Sequence, residues 1–523
     1  MKIKFTVFLC LLSATIFAFD GDFELSEEAQ KQADFYNKFL QVLSLEDNSK
    51  DQEALTILKE LLDQNPDDRH IIHEYCYLAL DNKKEEFNFC KKSLENLKKK
   101  TWQNHVVLGD YYMREGALTQ ALSEYEKALK LNPENLELSF HYAGILASKD
   151  QNAAINYLKN LTKDYPQADS FIYIKIADIY LKNKEEQEAI LFLENSLKTA
   201  QNKEGIYYTL IKIYESKKDA NKLYALYQTM YADGFVNAEI LEKLGSFAVL
   251  ENDEENAQKY FTELLNLDAN NPYAARYFAT YEQSQGRYEK ALSYIKQSRD
   301  FETNPALQIK AGYYLSMLSK QEELLNLMES AHEKFAGNNE ISYYYALALT
   351  DSKKYNKAAK VFEEILQTAP ENELVLFNYA AVLYEQKKYK KMEETLRKLL
   401  KINPDNAEGL NFLGYFFVDQ GKQENLEEGY KLISKALSLK PNEIAYQDSL
   451  AWYYFKVGNF IEADKILKDL PEVKDEEIYL HKAAVAYALK DFESAIKNYE
   501  NVLKINPKNK EAKKGLKKAK REN

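Results

Sequence analysis

The sequence predicts an all-α protein built from pairs of antiparallel helices that repeat along the chain. Prolines recur at gaps of 33 or 34 residues, as from Pro133 to Pro166 and from Pro370 to Pro404. Gly and Pro number only 16 and 10 in 523 residues, whereas a β-rich protein with many tight turns needs more of both. A content of 29% charged and 45% apolar residues suits amphipathic helices.

The segment from Trp102 to Pro133 contains the clearest repeating unit. A first helix carries His105, Leu108, Gly109 and Tyr112 on one face, and a second carries Ala121, Tyr125 and Ala128. Gly116 separates the two helices. Small residues at 109 and 121 let the two helices approach closely, and we expect Tyr125 to fill the groove between repeats.

The same register recurs through most of the chain. Copies include Leu244, Gly245, Ala257 and Phe261; Ala346, Leu349, Ala358 and Phe362; Ala451, Tyr454, Gly458 and Ala463; and Ala495, Tyr499, Val502 and Pro507. One copy carries a three-residue insertion around Gln423 to Leu426. Poorer copies lie near residues 35, 70, 136, 204 and 305. The total is about fourteen repeats.

At its diagnostic positions this unit resembles the tetratricopeptide repeat (TPR). The resemblance implies a right-handed superhelical solenoid of helix-turn-helix repeats, with the first helices lining a concave face. The predicted organisation is a signal peptide at 1–18, divergent N-terminal helical repeats at 19–100, a TPR solenoid at 101–507 and a basic C-terminal capping helix or tail at 508–523.

The N-terminal segment is typical of a secretory signal peptide. Lys2 and Lys4 form a basic region, an apolar run follows, and Ala18 offers a small residue for cleavage. The alternative of an uncleaved anchor is disfavoured because the apolar run is too short to span a bilayer. Cys10 raises the possibility of a lipoprotein, against which bulky Leu9 argues. We therefore expect an exported protein, periplasmic or outer-membrane-associated in a bacterium.

Charge is unevenly distributed. Without Lys2 and Lys4 the net charge of −12 becomes −14, and it divides into +6 for residues 508–523 and −20 for the rest. An acidic body argues against nucleic-acid binding, which needs a basic face. The basic tail has two interpretations, a solvated face of a capping helix or a peripheral contact with an anionic membrane.

No motif for catalysis is present. The sequence contains no Gly-rich phosphate loop, no HExxH and no GxSxG. The six histidines are scattered, and the close pair His70 and His73 has no third ligand at a suitable spacing. We predict no enzyme activity, no cofactor and no metal site.

Cys76 and Cys90 remain after removal of the signal segment. They fall late in a first helix and early in the second helix of one weak repeat, so a disulfide between them is geometrically reasonable. Two buried free thiols are the alternative.

The first helices of the later repeats are rich in aromatic residues at the positions that line the concave face of TPR proteins. These candidate partner-binding residues are Tyr273, Tyr313, Tyr343, Phe377, Tyr384, Tyr415, Trp452, Phe455 and Tyr487. Tyr and Trp are common in binding hot spots. The alternative is that some of these rings pack in the core between repeats.

Residues 410–464 carry a more specific pattern. It includes Leu413-Gly414-Tyr415, Asp419, and Asp448-Ser449-Leu450-Ala451-Trp452. This pattern resembles a group of bacterial envelope-associated TPR proteins, although Gly429 and Ala451 depart from the group's usual Ala and Gly. The resemblance covers about two repeats and implies an envelope location without naming a substrate.

Three functional hypotheses follow. The leading one is an exported scaffold that binds partner proteins or peptides in cell-envelope assembly or export. The second is a non-catalytic TPR subunit that recruits or regulates a separate envelope enzyme. Catalysis by the chain itself is the least favoured, because the repeats take up nearly all of it.

The first prediction concerns export. Because Lys2, Lys4 and the apolar run form a signal, the mature protein should begin near residue 19. Intact-mass spectrometry of the protein from its native host checks this. Retention of residues 1–17 would contradict it.

Overall fold

All regular secondary structure in the described part of the chain is helical. A computed structural model describes residues 26–81 and 84–523, so the predicted signal segment lies outside the described residues. Within the described ranges there are 29 α-helices and no strand. The all-α class predicted from the sequence is confirmed.

The helices form consecutive pairs. The first six pairs are α1 Glu27–Asp47 with α2 Asp51–Gln64, α3 Arg69–Leu78 with α4 Lys84–Asn96, α5 Trp102–Arg114 with α6 Leu118–Leu131, α7 Leu136–Lys149 with α8 Gln151–Asp164, α9 Asp169–Lys182 with α10 Glu186–Ser196, and α11 Glu204–Lys217 with α12 Ala220–Ala232. The next four pairs are α13 Ala238–Leu250 with α14 Glu254–Leu267, α15 Pro272–Ser284 with α16 Tyr288–Gln297, α17 Pro305–Met317 with α18 Gln321–Lys334, and α19 Asn339–Asp351 with α20 Tyr355–Thr368. The last four pairs are α21 Glu373–Glu385 with α22 Tyr389–Ile402, α23 Ala407–Gln420 with α24 Gln423–Leu439, α25 Ile444–Lys456 with α26 Phe460–Asp469, and α27 Glu476–Ala488 with α28 Phe492–Ile505. The last helix, α29 Lys510–Glu522, has no partner of its own in the described residues. Odd-numbered helices up to α27 are called first helices below.

The chain divides into two compact units. Unit 1 ends at Phe235 and contains the pairs up to α12, and unit 2 runs from Val236 to the C-terminus. Within unit 2, each helix packs on the next, and first helices of neighbouring pairs also contact each other, as α23 does with α25 and α25 with α27. This side-by-side arrangement puts residues of successive first helices within reach of one another.

Short-range sequence signals set the helix ends. Many first helices begin after an Asn whose side chain accepts a backbone N–H of the first turn, as Asn372 does from Val375 at 3.1 Å. Thr101 and Asn104 form a reciprocal capping box at α5. The turn within a pair often uses a residue with positive φ, such as Gly116 at 72°, which confirms the predicted break there.

Close contact within each pair explains the small residues. A Cβ added to Gly109 would lie 2.7 Å from Cε2 of Tyr125, so the tyrosine ring needs the glycine beneath it. In α23 and α24 the contact is with backbone rather than with a side chain, since a Cβ on Gly414 would lie 2.9 Å from the backbone oxygen of Gly429. Gly429, the departure from the usual Ala, therefore allows backbone-to-backbone contact.

Two further features, a disulfide and a terminal helix, lie near the two ends of the described chain. In α3 and α4, the fully buried residues Cys76 and Cys90 are joined by a disulfide with Cα atoms 5.3 Å apart. At the C-terminus, α29 buries Ala512 and Ala519 against α28 and leaves its lysines exposed. None of the described helices has both the length and the apolar character that crossing a membrane requires.

The tight contact between α23 and α24 yields a stability prediction. Gly414→Ala should destabilise unit 2 by about 1–3 kcal/mol, because the new methyl group forces two backbones apart. Gly144→Ala in α7 is the control, since no described atom lies within 4 Å of its Cβ position, and it should be neutral or stabilising by about 0.5–1 kcal/mol. Urea unfolding followed by circular dichroism measures both. Equal effects of the two substitutions would contradict the packing argument.

The disulfide between Cys76 and Cys90 yields a second prediction from the fold. Non-reducing mass spectrometry of the purified protein should show a deficit of two hydrogens that reductant restores, and Cys76→Ala with Cys90→Ala should cost about 3 kcal/mol in the first repeats. Two free thiols in freshly purified protein would contradict the pairing.

Candidate functional site

All nine predicted partner-binding residues lie on first helices of unit 2, from α15 to α27. They differ in accessibility. Tyr273 and Tyr313 are 49% and 45% exposed, and Trp452 is only 9% exposed. The other six, Tyr343, Phe377, Tyr384, Tyr415, Phe455 and Tyr487, are half-buried. The surface formed by these first helices is therefore partly accessible to solvent, with two exposed rings, six half-buried rings and one buried ring.

Three of the nine stay apart from the rest in their local contacts. The ring of Tyr273 lies 5.5 Å from the Arg276 guanidinium, and Tyr313 contacts its neighbours Tyr288 and Tyr314. The Tyr487 hydroxyl donates to Glu522 at 2.8 Å. A fourth residue, Tyr343, is linked to the next first helix, because its hydroxyl accepts from Nδ2 of Asn378 at 3.0 Å.

An aromatic cluster forms where α21 meets α22 and α23. It consists of Phe377, Tyr384, Tyr389, Phe412 and Phe416. Phe412 connects the two predicted residues, since its ring centre is 5.9 Å from that of Phe377 and 5.7 Å from that of Tyr384. Tyr389 and Phe416 complete the cluster at 5.4 Å from each other. These rings, of which Phe416 is buried and the others are half-buried, form a continuous apolar strip along α21 and α23 and the start of α22.

A second group, the Trp452 cluster, joins three first helices. It consists of Tyr415 and Asp419 of α23, Asp448, Trp452 and Lys456 of α25, and Glu477 and His481 of α27. The Trp452 ring contacts two other rings. It is stacked on His481 with centres 4.0 Å apart and on Phe455 with centres 4.6 Å apart.

Hydrogen bonds hold the Trp452 cluster together. His481, 4% exposed, places Nδ1 2.8 Å from Oδ2 of Asp448 and Nε2 3.3 Å from the hydroxyl of Tyr415. The Tyr415 hydroxyl also donates to the Glu477 carboxylate. Nε1 of Trp452 donates to Oδ1 of Asp419 at 3.1 Å. Each polar atom on the rings therefore has a partner on a different helix.

The cluster is electrically negative. Burial, followed by the charges of Glu477, Asp419 and Asp448, raises the pKa of the Tyr415 phenol well above its usual value. Burial and the nearby Asp419 and Glu477 also raise the pKa of Tyr384, which ties the aromatic cluster to the same carboxylates. Three carboxylates thus act on one small region of the face.

One cation of the chain occupies this region. Nζ of Lys456 lies 4.9 Å from the centre of the Trp452 ring, within cation–π range. It donates to the backbone oxygen of Asp419 at 2.8 Å and lies 3.6 Å from Oδ1 of the same residue. The ring and the carboxylate together form the contact that a lysine side chain prefers.

Sequence reasoning found part of this site. Tyr415, Asp419, Asp448 and Trp452 belong to the pattern quoted for residues 410–464, and the structure brings these four together. The aromatic pattern that predicted the partner-binding residues does not include Lys456, Glu477 or His481. A signal for His481 did exist, because it follows Asp448 by 33 residues and so occupies the same position of the next first helix.

The described residues contain no group of three or more His, Cys, Asp or Glu side chains arranged to hold a metal ion. His73, considered above with His70, is largely buried, and this burial and the neighbouring His70 lower its pKa to about 4.

Comparisons with known proteins identify the type of helical repeat in four segments of the chain. Tetratricopeptide repeat sequence models match residues 102–135, 238–271, 349–414 and 476–509. A TPR repeat-containing protein of Methanocaldococcus jannaschii is 23% identical over 271 residues, which are 47% of this chain and 47% of that protein. The chain thus spans about half the length of this relative.

Several solved structures are similar at low sequence identity. A tetratricopeptide repeat protein from Parabacteroides merdae is 18% identical, with 47% of this chain and 97% of that one covered and a TM-score of 0.41. Yeast Tom70 is 16% identical, with coverages of 80% and 95% and a TM-score of 0.36. PilF of Pseudomonas aeruginosa is 16% identical, with coverages of 41% and 97% and a TM-score of 0.34.

The matched segments coincide with helix pairs in both units. Residues 102–135 contain α5 and α6, residues 238–271 contain α13 and α14, and residues 476–509 contain α27 and α28. In each of these three pairs the first helix has 13 residues and the second has 14. The chain contains tetratricopeptide repeats.

Proposed function

We propose that this protein is an exported scaffold that holds partner proteins or peptides on the first-helix face of unit 2. TPR proteins bind other proteins, and the aromatic strip on this face is the observation that supports the assignment here. Exposed Tyr273 and Tyr313 and half-buried Phe377 and Tyr384 offer apolar area on first helices α15, α17 and α21. Aromatic side chains supply large contact area at low entropy cost, so a few of them can dominate the affinity.

The cell envelope is the proposed setting. Two sequence features support it, the N-terminal signal segment and the pattern of residues 410–464. The partner would then be a factor of envelope assembly or export. A chain that serves a separate envelope enzyme would use the same face, and the identity of the captured protein distinguishes the two cases.

The expected effect of substitution follows from exposure. Tyr313→Ala should weaken partner binding at least about fivefold, a loss of roughly 1 kcal/mol, with little change in unfolding, because its ring is 45% exposed. Phe377→Ala should weaken binding and also lower stability somewhat, because its ring contacts Phe412. Affinity capture from the envelope fraction of the native host, with mass spectrometry and then titration of the captured partner, measures the binding.

Two control variants make the result interpretable. Leu267→Ala alters an apolar side chain that is 60% exposed on second helix α14, and it should leave binding unchanged. Phe362→Ala removes a fully buried ring and should cost about 3–5 kcal/mol of stability. If Tyr313→Ala and Phe377→Ala lower the melting temperature as Phe362→Ala does and leave binding intact, the rings belong to the core and the proposed face is wrong.

A further inference from the structure

The Trp452 cluster holds more negative charge than its own cation balances. Asp419, Asp448 and Glu477 contribute three carboxylates, and Lys456 is the one lysine or arginine of the cluster. A buried carboxylate costs free energy unless it is paired and hydrogen-bonded. Asp448 is 5% exposed, and its Oδ1 has no hydrogen-bond donor among the described residues. The carboxylates therefore favour a cation in this region, the place that Lys456 takes in the free protein.

The chain already demonstrates which ligand chemistry suits the site. The Lys456 ammonium takes the aromatic face of Trp452 and two oxygens of Asp419. Aromatic faces bordered by carboxylates attract ammonium and guanidinium groups. Lys456 itself is partly exposed and sits at the C-terminal end of α25, so its long side chain can leave the ring without disturbing the helix.

The site also continues into the aromatic strip. Tyr384 contacts Phe412 and Phe416 of α23, and Phe416 follows Tyr415 of the Trp452 cluster in that helix. A partner segment with an apolar residue on the aromatic cluster would thus place a neighbouring side chain close to Trp452. Complementarity of charge would select a basic residue there.

We propose that the Trp452 cluster is a subsite for a lysine or arginine side chain of the partner, which displaces Lys456 from the face of Trp452. The inference rests on the proposed function, because it names the chemistry of a partner bound on the same face. Trp452 supplies the ring contact that Lys456 makes in the free protein, and Asp419 and Glu477 supply negative charge beside it. His481 holds Asp448 and Tyr415 in place as a positioning residue.

The chain is well suited to a fluorescence test, because it contains two tryptophans, Trp102 and Trp452. In a full-length Trp102→Phe variant, Trp452 becomes the single tryptophan reporter. The probes are two blocked tripeptides of the same length, acetyl-Arg-Phe-Arg-amide and acetyl-Glu-Phe-Glu-amide. The arginine peptide should change Trp452 emission saturably and more weakly at high salt, whereas the glutamate peptide should cause no saturable change.

Matched variants test the roles of the charges. Asp419→Asn keeps an acceptor for Nε1 of Trp452 and removes the charge, and it should weaken arginine-peptide binding about fivefold. Glu477→Gln, at an exposed position, should act in the same direction and provides a second variant if the first unfolds. Lys456→Met should tighten binding severalfold by removing the competing cation. Lys468→Met, which breaks an exposed ion pair with Asp464 at 2.6 Å, is the matched control and should change nothing.

Each outcome decides the proposal. Saturable binding of the arginine peptide with weaker binding in Asp419→Asn or Glu477→Gln supports it. No saturable response, an equal response to the glutamate peptide, or weaker binding in Lys456→Met overturns it. Failure here combined with loss of partner binding in Tyr313→Ala would overturn the cation subsite and leave the scaffold function standing. If the arginine peptide binds but Tyr313→Ala has no effect on binding of the captured partner, the cation subsite stands and the proposed partner-binding face is wrong.

Discussion

The close approach of the two helices in each pair is the contact on which the rest of the structure depends. A pair of short amphipathic helices cannot bury its apolar faces alone, so it must pack tightly within itself and then against its neighbours. Gly109 beneath Tyr125 and Gly245 beneath Phe261 show the same solution in the two units, since a Cβ at either glycine would lie 2.7 Å from the ring. The ring that fills the gap also reaches the next first helix, as Tyr125 does at 5.0 Å from His141.

This constraint explains why so much of the fold could be predicted from the sequence. The required small residue, the aromatic residue sixteen positions later and the turn between them are local features, so they recur at a fixed spacing and are visible without a structure. The poorer copies near residues 204 and 305 also form complete helix pairs, because the neighbouring pairs cover their less regular faces. The insertion around Gln423 to Leu426 could be located in the sequence, but the sequence did not show whether it belongs to a helix or to a turn. In the structure it lengthens α24 to 17 residues, compared with 14 in α22.

The Trp452 cluster could be predicted only in part, for a physical reason. Its contacts join three first helices, and the partners are 33 residues apart, as Asp448 and His481 are, or 62 and 66 apart, as Tyr415 is from Glu477 and His481. An isolated Asp or His on a helix gives no sign of such a partner. The aromatic residues were easier to find, because several of them recur at the positions that line the concave face of TPR proteins, and a set of exposed apolar residues, unlike a single one, marks an interaction surface.

The packing constraint and the candidate site meet in α23. Gly414 brings the backbone of this helix against Gly429 of α24, and the next residue, Tyr415, carries the hydroxyl that contacts His481 and Glu477. The position of Tyr415 is therefore set by backbone contact rather than by a loop. Sites supported in this way hold their geometry before a ligand arrives, which lowers the entropic cost of binding. In the proposed exchange of one cation for another, the side chain of Lys456 would leave its place and the helices would keep theirs.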